Sequence, residues 1–227
     1  MKVWPTLIAV GGAALVVLIV IGIVVSVRRE RRRREALRLW AAQYGWTYLE
    51  RPATDWGDRL PGRNRRGVSL MLSGIVDGYP VSVADYEYTE TSTSTTRNAD
   101  GSSSTSTSSR THHFIVVVVR LPRPAPALAV EPRGGLSKFG RAVFGDRASA
   151  LGYEPFDRAF KVVTKDPGAA RHLVGPALAG EHIAGRVPPW SVRGVELLTY
   201  ERGRLGDPAR IPALAAPAVR VASLLGR

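Results

Sequence analysis

The feature that most constrains this chain lies at its start. Residues 3–27 form a run of 25 uncharged positions that ends directly in Arg28-Arg29-Glu30-Arg31-Arg32-Arg33-Arg34. At a rise of about 1.5 Å per residue, a helix of that length covers the roughly 30 Å hydrocarbon layer of a bilayer. A cleaved signal peptide is the competing reading, but its apolar region is only about 7–15 residues and a small-residue cleavage site follows it. The run therefore predicts a transmembrane helix over residues 1–27. Basic residues flanking a span stay on the cytoplasmic side. Arg28, Arg29, Arg31, Arg32, Arg33 and Arg34 follow the run, whereas only Lys2 precedes it. The expectation is a single-pass protein of the plasma membrane, N-terminus outside and C-terminal domain cytoplasmic. The same six arginines are candidate contacts for anionic lipid head groups, and the lipid bilayer is the expected partner.

Beyond the arginines, Leu37, Trp40, Ala41 and Tyr44 recur at helical spacing up to Gly45, so residues 28–45 read as a basic juxtamembrane amphipathic helix. Residues 46–227 then suffice for one domain of ordinary size. Strands are expected at 46–50, 68–76 and 79–88, the last two joined by Asp77-Gly78, a strong hairpin signal. Phe114 to Val119 is apolar on both faces and reads as a central strand, ended by the prolines of 122–126. Further strands are expected at 159–163 and 191–200, with Gly194 a bulge. Asp166-Pro167 and Asp207-Pro208 each open a helix, a capping carboxylate before a proline at the first helical position. Strands first and helices late predict an α+β fold with a mostly antiparallel sheet and packed helices.

Residues 89–111 stand apart. Sixteen of these 23 are Ser or Thr and none is large and apolar, so burial offers nothing to offset the entropy of ordering them. They read as a long disordered loop at the tip of a hairpin. A neutral spacer is the plain account; phosphorylation beside Arg97 and Arg110 is a second. O-glycosylation would need the opposite topology.

Chemistry is scarce. With no cysteine, thiolate ligands, disulfides and a cysteine nucleophile are excluded. His112 and His113 border the Ser/Thr stretch, and His172 and His182 are ten apart, a spacing that puts no two imidazoles on one helix face. Asp85 and Glu87 share a strand face and read as a water-facing row; Asp55 and Asp58 read as turn chemistry. Residues 135–141 have the glycine spacing of a phosphate loop without its Gly-Lys-Ser/Thr ending. No catalytic residue, metal site or cofactor is predicted, and enzymatic activity is left unsupported. The net charge of +13 is +6 over residues 1–40, with the rest dispersed, including Arg63, Arg65 and Arg66. No nucleic-acid reader motif accompanies it.

Phe156-Asp157-Arg158-Ala159-Phe160-Lys161-Val162, followed by Asp166 and a helix with Leu173 and Pro176, carries a resemblance. With the N-terminal run, the arginines and Tyr44-Gly45-Trp46, the chain resembles uncharacterised actinobacterial single-pass membrane proteins, related to a wider bacterial family of membrane-anchored domains of unknown function. Where that family has Leu-Thr-Pro, this chain has Val174-Gly175-Pro176. The resemblance implies no activity or cofactor; Phe156 and Phe160 read as core anchors and Asp166 as a helix cap. The function expected is a membrane-anchored cytosolic binding or scaffolding module, its protein partner open. A membrane-bound enzyme or a nucleic-acid-binding module are the alternatives.

Overall fold

The computed structural model describes residues 4–97, 103–133 and 148–225, and of residues 4–16, 148 and 149 the backbone only. Helix α1 (Trp4–Gln43) runs unbroken into a turn at Gly45, whose φ of +70° stops it. Strands β1 (Thr47–Glu50), β2 (Val68–Val76), β3 (Tyr79–Arg97), β4 (Ser103–Pro132), β5 (Ala148–Ser149), β6 (Phe160–Thr164) and β7 (Trp190–Arg202) form one sheet. Among the described residues four shorter α-helices follow: α2 (Glu154–Ala159), α3 (Pro167–Leu173), α4 (Pro176–Ile183) and α5 (Ile211–Leu224).

Every pairing among the described residues is antiparallel, in the order β1-β2-β3-β4-β6-β5. The fold is α+β. Central strand β4 has β3 and then β6 along one edge and β7 along the other. Asp77 and Gly78 both have positive φ, 49° and 81°, the conformation of a tight β2–β3 turn. One sheet face buries Leu70, Leu72, Val117, Val119 and Val130 beneath Leu37 of α1, Phe156 of α2 and Val221 of α5. Full burial of each such side chain contributes about 1.5–3 kcal/mol.

Three expectations are corrected. Among the described residues no helix is long and apolar enough to cross a membrane. The transmembrane helix over 1–27 is therefore not supported, nor the single-pass plasma-membrane placement derived from it; part of that run lies outside the described residues. Second, residues 89–97 and 103–111 are not a disordered loop. They pair in unbroken register from Thr89↔Thr111 to Arg97↔Ser103, extending the β3–β4 hairpin as a two-stranded ribbon. Alternation sorts it by face: Thr89, Thr91, Thr93 and Thr95 lie opposite Thr111, Ser109, Thr107 and Thr105, while serines dominate the reverse. Their β-branched hydroxyls pair across the strands, as at Thr89–Thr111 and Thr95–Thr105.

Third, the prolines do not end the central strand. β4 continues through Pro122, Pro124 and Pro126, where β3 pairing has stopped and the β7 register shifts between Arg120 and Ala125. Proline is tolerated at such bulged positions, where the ladder is already interrupted. The glycine pattern at 135–141 lies outside the described residues.

Candidate binding groove

The segment between β1 and β2, residues 51–67, lies as a strap over the sheet face opposite the main helices. Arg51 enters it with a φ of +47°, its N–H bonded to Ser69 O at 3.2 Å. Gly62 has a φ of +74°, and a Cβ there would lie 2.2 Å from the Tyr88 ring, so only glycine fits. The strap has no strand of its own and is held by side chains. Trp56 and Leu60 pack among Val68, Ala84, Tyr86, Phe114 and Leu198. Between them Arg59 is 1% exposed. Its Nη2 donates to Ser191 O at 2.8 Å and Ser191 Oγ at 2.7 Å, and Nη1 reaches Glu196 at 3.5 Å. Burial, helped by the nearby Arg193, lowers its pKa to about 10. Tyr86 Oη donates to Pro61 O at 2.7 Å and accepts from Asn64 N at 2.9 Å. Arg193 clasps Asp58 from β7 at 3.2 Å.

α1 is tied to β3 and to the segment before α5. Arg33 bonds Asp85 Oδ2 at 2.6 Å and the Leu205 carbonyl, while Leu205 N donates to Asp85 Oδ1 at 2.7 Å. Asp85 is 4% exposed, which corrects its reading as a water-facing residue: a cation 52 residues away covers it. Glu30 accepts from Arg33 and Arg34, which hold its pKa down to about 2. Thus Arg33 and Arg34 are drawn onto the domain, whereas Arg28, Arg29, Arg31 and Arg32 are exposed on α1.

Between this end of α1 and the strap opens a groove of about 730 Å³. Arg34, Arg51, Arg65 and Arg66 line it with Glu87. Arg51, Arg65 and Arg66 are exposed and make no side-chain hydrogen bond or ion pair among the described residues. Pro52, Ala53 and Val68 give it an apolar wall. Across Ala53 and Thr54 lies a second hollow of about 620 Å³, with Met71 and Val118 on its floor and Arg120, Arg193 and Glu196 at its rim. Such volumes are those of small-ligand clefts.

The remaining singled-out residues have structural surroundings. Phe156 is fully buried and stacks on Phe160 at 5.3 Å. Asp166 Oδ1 accepts from Ala169 N at 2.9 Å, capping α3. His182, buried against Phe156, Phe160 and Trp190, accepts from the Trp190 indole at 2.9 Å, so Nε2 is the unprotonated nitrogen. Burial lowers its pKa to about 4. Glu181, its neighbour, is held down to about 2 by Arg186 and Arg220. Among the described residues no three ligating side chains gather to hold a metal ion. Sequence spacing brought out Arg65 and Arg66 only as dispersed charge; their turn-rich loop was the one available signal. Arg34 stands out in sequence only as part of the arginine run, and nothing local marks Arg59 or Arg51.

No family model matches the chain, and no curated protein matches it. Among solved structures it is similar to the crystal structure of the mycobacterial trehalose monomycolate transport factor A, TtfA. The two share 14% identity at a TM-score of 0.48, over 85% of this chain and 90% of that one.

Proposed function

We propose that the chain is a binding or scaffolding module whose ligand site is the basic groove between α1 and the strap, and whose ligand is anionic. The observation that carries this reading is the convergence of Arg51, Arg65 and Arg66, all without partners among the described residues, on one concave site. Guanidinium groups are planar forks with fixed donors, suited to oxyanions, and a free one in a cleft retains that capacity. The strap is pinned by Arg59, Tyr86 and Arg193 before any ligand arrives. A preformed wall avoids the ordering cost that a mobile loop would incur on binding.

The test is binding of labelled poly-L-glutamate to the full chain, followed by fluorescence anisotropy. Arg51→Glu/Arg65→Glu/Arg66→Glu is expected to weaken binding by more than about tenfold, roughly 1.4 kcal/mol. Reversal of Arg28, Arg29, Arg31 and Arg32 on α1 is expected to cost less. Unchanged binding in the groove variant, with loss in the helix variant, would transfer the site to α1.

A further inference from the structure

We infer that the groove is built for a phosphate ester: a dianionic phosphate monoester or diphosphate carrying an uncharged, partly apolar body. This rests on reading the groove as the ligand site.

Charge is the first argument. Arg34 is already occupied by Glu30, and the Glu30 oxygens are shared with Arg33, itself bound to Asp85. What stays open in the groove is Arg51, Arg65 and Arg66 against Glu87, which leaves an excess of two positive charges. A phosphate monoester carries about −1.5 to −2 at neutral pH and matches that excess; a single carboxylate leaves half of it uncompensated.

Geometry is the second. Arg65 and Arg66 are adjacent on the strap, and Arg51 reaches the groove from the strap's other end through its positive-φ turn. Three forks from two directions suit an oxyanion with three terminal oxygens better than a planar carboxylate, which two forks saturate. Glu87 sits 3.3 Å from His113 Nδ1 at one margin and leaves the strap side free of acid.

Size is the third. A volume of about 730 Å³ is far more than a phosphate group fills, and the rest of the lining is Pro52, Ala53, Thr54 and Val68. That wall carries no charge. It suits the organic remainder of an ester, whether a soluble molecule or the glycerol portion of a lipid head group.

Isothermal titration of the full chain tests this with four probes: inorganic pyrophosphate, glycerol 3-phosphate, monomeric dihexanoyl phosphatidic acid and succinate. The two phosphate monoesters are expected to bind at least about tenfold tighter than succinate, a dicarboxylate of similar charge. Arg65→Gln/Arg66→Gln should remove that preference, and Arg28→Gln/Arg29→Gln/Arg31→Gln/Arg32→Gln should keep it. Whichever of glycerol 3-phosphate and dihexanoyl phosphatidic acid binds tighter identifies a free or a lipid-borne source. Succinate binding as tightly as the phosphates, and lost with Arg65 and Arg66, would overturn the phosphate assignment and leave the groove as an anion site. Phosphate binding unaffected by the groove variants, or no binding of any probe, would overturn it as well. In the last case, poly-L-glutamate binding that still depends on Arg51, Arg65 and Arg66 separates failure of the ester from failure of the groove.

Discussion

The β3–β4 ribbon and the 51–67 strap reach order by opposite routes. The ribbon has a complete backbone ladder over nine residue pairs, 89–97 with 103–111, and buries nothing large. The strap has almost no ladder, yet it places Trp56, Leu60 and the whole side chain of Arg59 out of water. In the ribbon, stability is distributed along equivalent rungs continued from the Phe114–Tyr86 pairing of the main sheet. In the strap it is concentrated in a few side chains. A lost rung should be tolerated; a lost pin should not.

Arg59→Ala is the change expected to hurt most. It removes the bonds to Ser191 and Glu196 and opens a cavity beneath Trp56, and should cost about 3 kcal/mol in urea denaturation. Binding at the groove should weaken with it, because the strap forms the groove's wall. Equal stability of variant and native chain would remove the contrast between pins and rungs.

Acid sharpens the comparison through a group in neither region. His182 has a folded pKa of about 4, below the ordinary 6.5, so the unfolded chain takes up its proton first as pH falls. Its contribution is complete above pH 6.5 and is lost as pH falls toward 4, about 2.5 kcal/mol by pH 4.5. Glu30 and Glu181, each held at about 2 against an ordinary 4.5, lose theirs only below pH 4.5. Stability should therefore decline between pH 6.5 and 4.5 in the native chain, and in His182→Gln that decline should be largely absent.

Tyr86→Phe deletes the bonds to Pro61 and Asn64 with little change of shape and should cost about 1–2 kcal/mol, read as a shift of the urea midpoint. The smallest effect belongs to the ribbon. Thr93→Gly, at a rung opposite Thr107, should leave the global melting temperature within about 1 °C, since strand propensities span only ~1 kcal/mol and the site is exposed. Its trace should be faster amide exchange around Thr107.

What was legible in the sequence was local. Asp77-Gly78 and Asp166-Pro167 act through their own backbone angles and hydrogen bonds, and both stand where the residues placed them. Burial alone does not predict the Ser/Thr ribbon; the hydroxyl alternation and the in-register continuation of an anchored hairpin carry that information. Asp85 looked solvent-facing because Arg33 and Leu205, which cover it, are 52 and 120 residues away. The apolar start of α1 suggested a span that the described residues do not support. The groove was invisible for the reason Asp85 was: Arg34, Arg51 and the Arg65–Arg66 pair meet only after α1 and the strap fold against one sheet.

The most direct measurement is amide hydrogen exchange of the full chain, alone and with saturating inorganic pyrophosphate. The groove account predicts slowed exchange across residues 51–69 and the adjoining turn of α1 at Arg34, with the ribbon at 89–97 and 103–111 unchanged. Protection confined to the ribbon, or to α1 at residues 28–32 with the strap unaffected, would contradict it.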